Sequence, residues 1–254
     1  MKIPFVKMQG AGNDYVYVNG RDLSGLNLSR LAVKLSDRRF GIGSDGLVIL
    51  YDSDDCDAEM RMFNADGSEG NICGNALRCA GKLVTESSLK DYAVIKTKVG
   101  AIKVVKLSEN RYETEFGKYA VLPDFSDGQT TYKIIDVGNL HAVAFVKETD
   151  GLNIEKKAKR VAENARFKGG VNVEYASFDK KGNIRVRVYE RGSGETLSCG
   201  SGSVAVAVAV RLSGKIKKEY SLTFRGGVLK VKFAGCDAYL SGEAKRVYSG
   251  YVDV

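Results

Sequence analysis

Cys73 and Cys199 stand 126 positions apart, and each is followed at once by glycine, Gly74 and Gly200, and then by a stretch that reads as helix. A thiol at that position sits beside the first N–H groups of the helix, which lack internal partners and carry the positive end of the helix dipole. Such a helix start binds anions, and its field favours the thiolate over the thiol, lowering the pKa from about 8.5. Two thiols on opposite sides of one bound carboxylate are what a two-base racemase or epimerase needs. One thiolate takes the α-proton from one face, and the other thiol returns a proton to the opposite face. The helix N-termini would stabilise the charge that develops on the carboxylate. This chemistry calls for no cofactor.

The two cysteines are the centre of a longer repeat. Met60 to Gly74 lies beside Val186 to Gly200 without a gap, and the same offset relates Gly12-Asn13 to Gly138-Asn139 and Gly25-Leu26-Asn27 to Gly151-Leu152-Asn153. A slip of one residue then aligns Arg39-Phe40 with Arg166-Phe167 and Lys103-Val104 with Lys230-Val231. The chain is therefore read as two copies of one unit, joined near Pro123-Asp124. Short β-branched or alternating runs predict strands at Val16–Val18, Leu47–Leu50, Met60–Phe63, Ala93–Lys96 and Ile102–Val105, with counterparts in the second copy. Apolar residues at helical spacing predict helices over Leu28–Leu35 and Ile154–Val161, and again over Asn75–Thr85 and Ser201–Leu212. Val204 to Val210 alternates as a strand would, but its partner in the first copy has helical spacing, and an all-round apolar helix suits a fully enclosed position. The expected fold class is α/β (α+β): two pseudo-symmetric domains, 1–120 and 121–254, each a mostly antiparallel barrel-like sheet around a central helix. The tail from about 245 to 254 is expected to pack back on the first domain, and the active site to lie in the cleft between the two.

Composition narrows the classes. The chain has 254 residues, 44% hydrophobic and 28% charged, with 29 glycines and 2 prolines, which describes a folded globular protein. Its longest fully apolar stretch, Val204 to Val210, is far short of the roughly 20 residues a bilayer span requires. No membrane contact is expected, and with no apolar signal core after Met1 the expected location is the cytoplasm. The odd count of five cysteines, Cys56, Cys73, Cys79, Cys199 and Cys236, fits reduced thiols, of which only the repeated pair is assigned a role. A single histidine, His141, and no zinc-ligand spacing argue against a metal site. The net charge of +8 is spread over scattered lysines and arginines without interleaved aromatics, so no nucleic-acid partner is expected.

With these residues in view the sequence resembles a known family. Gly10-Ala11-Gly12-Asn13-Asp14, Gly41-Ile42-Gly43-Ser44-Asp45-Gly46, Asn64 to Glu69 leading to Cys73-Gly74-Asn75, Gly138-Asn139-Leu140-His141, Gly170-Val171-Asn172, and Glu190 to Thr196 leading to Cys199-Gly200-Ser201-Gly202 look like diaminopimelate epimerase. The resemblance runs in order from Gly10 to about Val210. It implies a cofactor-independent interconversion of LL- and meso-diaminopimelate in lysine and peptidoglycan precursor biosynthesis, with a small-molecule substrate. A homodimer is compatible with it. It implies that Cys73 and Cys199 are the acid/base pair and that Gly74, Asn75, Gly200 and Ser201 surround the reacting carboxylate. Asn13, Asn64, Asn139, Asn172 and Arg191 match substrate-binding positions, Glu190 also falls among them, and His141 is a supporting group near the thiols. Arg can grip a carboxylate in a bidentate fork, and a zwitterionic end needs amide donors and acceptors. Leu140 and Ala142 depart from the proline and cysteine common around this histidine, and Gly46 stands where some members carry glutamine. The nearest alternative is a related cofactor-independent amino-acid racemase of proline or histidine type on the same fold; proline-type members carry histidine where Asn75 stands here.

Overall fold

The computed structural model describes the whole chain, Met1–Val254. It divides into two compact units, one formed by Met1–Thr114 with Gly242–Val254 and the other by Glu115–Ser241. The first unit contains β1 (Lys2–Gly10), β2 (Asn13–Asn19), α1 (Leu28–Ser36), β3 (Gly46–Tyr51), β4 (Ala58–Asn64), β5 (Glu69–Gly70), α2 (Gly74–Ser88), β6 (Tyr92–Thr97), β7 (Gly100–Ser108) and the start of β8 (Arg111–Gly117). The second contains β9 (Ala120–Ser126), β10 (Thr131–Asp136), β11 (Leu140–Phe145), α3 (Ile154–Ala162), β12 (Asn172–Phe178), β13 (Ile184–Glu190), β14 (Gly194–Thr196), α4 (Gly200–Leu212), β15 (Glu219–Phe224), β16 (Gly227–Ala234) and most of β17 (Asp237–Glu243). The last strand, β18 (Lys245–Asp253), pairs antiparallel with β1 in the first unit.

The expected mixed α/β fold is built twice over. In the first unit β1–β2, β3–β4, β4–β5, β6–β7 and β7–β8 are antiparallel, while β2–β3 and β4–β6 are parallel. The second unit repeats the pattern, with β11–β12 and β13–β15 as its parallel pairs. The register repeats as well. Tyr15 lies opposite Gly46 across β2–β3, and His141 lies opposite Asn172 across β11–β12, each pair member shifted by the repeat offset. Local devices recur with it. Asn27 caps α1 by accepting from the Arg30 N–H at 3.0 Å, and Asn153 caps α3 by accepting from the Lys156 N–H at 3.1 Å. Gly12 and Gly138 turn the chain ahead of β2 and β11 with φ of 85° and 93°, a region that favours glycine.

One helix per unit is enclosed by strands. α2 packs on β1, β2, β6 and β7, and α4 on β10, β11, β12, β15 and β16. The alternating valines of α4 are helical because both members of the alternation are buried: every residue from Gly202 to Val210 is buried, which a half-exposed strand would not allow. α1 and α3 instead carry an apolar stripe, with Leu31, Ala32 and Leu35 buried in one and Ile154, Ala158 and Val161 in the other. No helix is long and apolar enough to cross a membrane.

Candidate active site

Each unit brings its repeated cysteine to the start of its enclosed helix. Cys73 is the N-cap residue of α2 with φ −134° and ψ 120°, and Cys199 that of α4 with φ −133° and ψ 124°. In both helices the cysteine carbonyl accepts the first intrahelical bond, from Leu77 N–H at 2.8 Å and from Ser203 N–H at 3.0 Å. Gly74 and Gly200 thus open the helices, followed by Asn75 and Ser201.

In the first unit the Cys73 Sγ–H donates to Asn13 Oδ1 at 3.3 Å, and Asn75 Nδ2 donates to the same oxygen at 3.4 Å. Asn13 Nδ2 in turn donates to Asp45 Oδ2 at 2.6 Å. Arg38 bridges Asp14 and Asp45, and Lys7 pairs with Asp14 at 2.8 Å, so Arg38 braces Asp45, the carboxylate that orients Asn13. Asn64 ends β4, exposed, with its Nδ2 donating to Ser68 Oγ at 2.9 Å, and Ala65 N–H donates to the Asp45 carbonyl. Two groups not anticipated join this set. Tyr15 is buried beside Cys73; burial first, and then the sulfur, push its phenol well above the ordinary value. Arg78, fully buried one turn along α2, donates through Nη2 to Asn75 Oδ1 at 2.5 Å. Gly46 is explained by the same packing. A Cβ there would lie 2.2 Å from the Phe63 carbonyl oxygen and 2.9 Å from the Tyr15 ring, so no side chain fits without backbone movement.

In the second unit Cys199 Sγ accepts from Gly202 N–H at 3.4 Å and lies 3.3 Å from Ser201 Oγ. Glu190 ends β13 with Oε1 accepting from Thr196 Oγ1 at 2.5 Å, and burial raises its carboxyl above the usual range. His141 is wholly buried, its Nδ1 2.6 Å from Glu174 Oε1. Asn172 is committed to backbone, donating to the Leu140 carbonyl at 3.4 Å and accepting from Arg191 N–H at 2.9 Å, so it fixes the strand end that carries Arg191. The Arg191 guanidinium reaches back to the Gly169 carbonyl at 2.7 Å and is exposed. Asn139 sits in the turn before β11, its carbonyl accepting from Val137 N–H.

One expectation is corrected. The helix start was expected to lower the thiol pKa, and the Gly202 N–H does act in that direction on Cys199. Burial outweighs it, and the charges of Glu190 and Glu174 add to burial, so the Cys199 thiol is pushed well above its ordinary value. Of the other cysteines, Cys79 is buried on α2, and burial pushes its thiol up to about 12; Cys236 is exposed. In the second unit Glu174, two positions beyond Asn172, is a further residue not anticipated from the sequence. Its signal was a lone acid in a strand that is otherwise apolar or small, Asn172–Phe178. Arg78 carried the same kind of signal, a cation in the otherwise small and apolar first two turns of an enclosed helix.

The architecture is that of a duplicated isomerase fold in which each half offers one cysteine at a helix start. A solved structure of the same fold is a phenazine biosynthesis protein of the PhzF family from Bacillus anthracis, with a TM-score of 0.78, 16% identity and full coverage of both chains. The family model of diaminopimelate epimerase matches residues 5–121 and 133–247. Among curated relatives, a diaminopimelate epimerase of Desulfovibrio desulfuricans is 38% identical over 97% of this chain and 96% of its own length. One from Acetivibrio thermocellus is 36% identical over 98% of each. The chain belongs to the diaminopimelate epimerase family and is an isomerase, an amino-acid epimerase.

Proposed function

We propose that the protein interconverts LL- and meso-diaminopimelate, with Cys73 and Cys199 exchanging the proton of one α-carbon. The observation that carries this reading is the duplicated cap: two cysteines at equivalent positions of a repeat, with the same backbone geometry, each opening an enclosed helix. In this reading one cysteine acts as thiolate and the other as thiol. The thiolate takes the α-proton, the C–H electron pair passes onto the α-carbon and its carboxylate, and the S–H of the opposite cysteine protonates the other face. One proton leaves and one arrives, and the two sulfurs exchange protonation states, so the step balances without an oxidant or reductant.

The α-carboxylate would sit at the helix starts, where Gly74, Asn75, Gly200 and Ser201 present N–H and side-chain donors to the developing charge. Asn13, held by Asp45 and bonded to Cys73, and its repeat equivalent Asn139 supply polar groups beside the reacting centre. Asn64, Arg191 and, behind Arg191, Asn172 serve the distal amino-acid end, where a guanidinium can take a carboxylate. Glu190 and His141 tune Cys199. The reading places the enzyme in lysine and peptidoglycan precursor supply, in the cytoplasm.

The test is exchange of the α-proton for deuterium in a panel holding LL- and meso-diaminopimelate, proline and histidine. Exchange with the diaminopimelates and inversion of one centre is expected. Turnover of proline or histidine without diaminopimelate would overturn the reading in favour of a racemase on the same fold.

A further inference from the structure

The repeat lets each half serve as the reference for the other. Across β2–β3 of the first unit Val48 lies opposite Tyr17, and Val48 is buried in the same core cluster as Ala76 of α2. At the equivalent positions of the second unit Glu174 lies opposite Val143, and Gly202 takes the place of Ala76. The fold therefore closes around a valine and an alanine, and needs no carboxylate here. The second unit has exchanged them for a wholly buried acid and a residue without a side chain. The two changes are coupled, since a Cβ on Gly202 would lie 2.5 Å from Glu174 Oε1.

A buried carboxylate is costly unless it is bonded, and this one is only half bonded. Oε1 meets His141 Nδ1 at 2.6 Å, while Glu174 Oε2 and His141 Nε2 are buried without a protein partner. Tyr15 is the first-unit equivalent of His141, so the whole Tyr15–Val48–Ala76 set has become His141–Glu174–Gly202. What the acid touches decides its use. Gly202, against which Oε1 packs, is the residue whose N–H donates to Cys199 Sγ at 3.4 Å. We infer that Glu174 is a positioning residue of the acid/base site: from beneath the first turn of α4, and through His141, it keeps Cys199 as the protonated member of the pair in the resting enzyme. Cys73, whose half has Val48 in place of the carboxylate and a buried cation, Arg78, on its helix, then enters the cycle as the base. The inference rests on the proposed epimerase reading for its chemistry.

The charged and titratable groups around Cys199 are few. Glu174 comes from β12, Glu190 from β13 and His141 from β11; both carboxylates act on the thiol in the same direction. Of the remaining strands against α4, β15 contributes the buried Tyr220, donating to the Lys215 carbonyl, while Tyr132 of β10 is bonded to Tyr175 within the core cluster of α3.

The test uses Glu174→Gln, which keeps the shape and an acceptor for His141 but removes the charge. A second variant, Glu174→Val with Gly202→Ala, rebuilds the first unit's pair and guards against a folding failure of the first. Thiolate ultraviolet absorbance is titrated with pH, and the Cys199 contribution is isolated by difference from the same proteins carrying Cys199→Ser. We expect both variants to titrate Cys199 at lower pH, with the thiolate fraction at neutral pH rising on the order of tenfold, while Cys73 is unmoved. The alkaline limb of kcat/KM, which reports loss of the required thiol proton, should move down with it. A Cys199 titration that stays in place or moves up in folded variants would overturn the inference. A titration that moves while the alkaline limb does not would overturn the acid assignment. The titration needs no substrate, so it decides the matter even if diaminopimelate proves not to be turned over.

Discussion

Arg78 Nη2 donates to Asn75 Oδ1 at 2.5 Å, from a guanidinium with no exposed surface. This fixes the Asn75 amide so that its Nδ2 points to Asn13 Oδ1, the oxygen that also accepts from the Cys73 thiol. At the equivalent place in α4 the chain has Val204, so the helix does not need the cation. Arg78 Nε and Nη1 have no protein partner, and burial pulls the guanidinium below its usual pKa.

Replacing Arg78 by Met removes that desolvation cost, and it takes away the hydrogen bond to Asn75 Oδ1 at a cost of about 1–3 kcal/mol. The two offset, so the melting temperature should stay within about 5 °C of wild type. The catalytic step should not be spared, because Asn75 loses the brace that aims it at Asn13 beside the thiol; kcat is expected to fall roughly 10- to 100-fold. Steady-state kinetics beside a thermal melt checks this. A lower melting temperature with an unchanged kcat would mark Arg78 as structural only.

Cys73→Ala and Cys199→Ala should each lose epimerisation by about 10²-fold or more, the typical contribution of a positioned acid or base. Neither thiol holds the fold together. Cys73 is only half-buried, and although Cys199 is buried, the nine core residues Gly202–Val210 that hold its helix in place are untouched. Circular dichroism melts should therefore stay close to wild type. An active single variant with its fold intact would rule out the two-base mechanism.

Much of this was legible in the amino-acid order because the duplicated blocks are contiguous. Cys73 and Asn75, or Cys199 and Ser201, are neighbours on one helix turn, so a motif is enough to find them. α4 was read as a helix against its own alternation because Ala76 to Val84 shows the helical spacing plainly. Glu174, Tyr15 and Asp45 were not legible as site residues, since they reach it through strand register across 31 residues, which no local pattern specifies. Equivalence in the repeat also does not carry burial. Phe167 is buried with its ring centroid 5.2 Å from Phe125, whereas the aligned Phe40 is 89% exposed. The Cys199 thiol was expected to be acidified by its helix and is instead pushed well above its ordinary value by burial and two carboxylates, a balance set by the packed structure.

Asp14 gives the fold a pH dependence whose sign can be stated. Burial alone would raise its carboxyl, but Arg38 and Lys7 outweigh that and hold it below the usual 3.8. A carboxyl depressed in the native state contributes stability that is fully present above its unfolded value and is lost as the pH falls through the folded one. Asp14→Asn should therefore destabilise the protein at neutral pH and converge on wild type well below pH 3.8. Urea titrations at several pH values check this. A gap that persists undiminished in acid would show that the charge is not what matters.

Gly81 tests the packing of the enclosed helix. On helix propensity alone, Gly81→Ala in the middle of α2 should stabilise by about 1 kcal/mol. The structure predicts the opposite, because an added Cβ would lie 2.3 Å from Val104 Cγ1 on β7, which packs against this face. Overpacking of this kind costs about 1–3 kcal/mol, so the net effect should be a loss of roughly 1 kcal/mol and a melting temperature lower by about 2–4 °C. Val104→Ala opens the space that the new methyl needs, so the two substitutions should not add: the double variant should be more stable than the sum of the singles by about 1 kcal/mol or more. A Gly81→Ala protein that melts higher than wild type would mean that α2 shifts on its strands at little cost. The geometry that holds Cys73 at its end would then be far less rigid than the hydrogen bonds of Asn13 and Asn75 require.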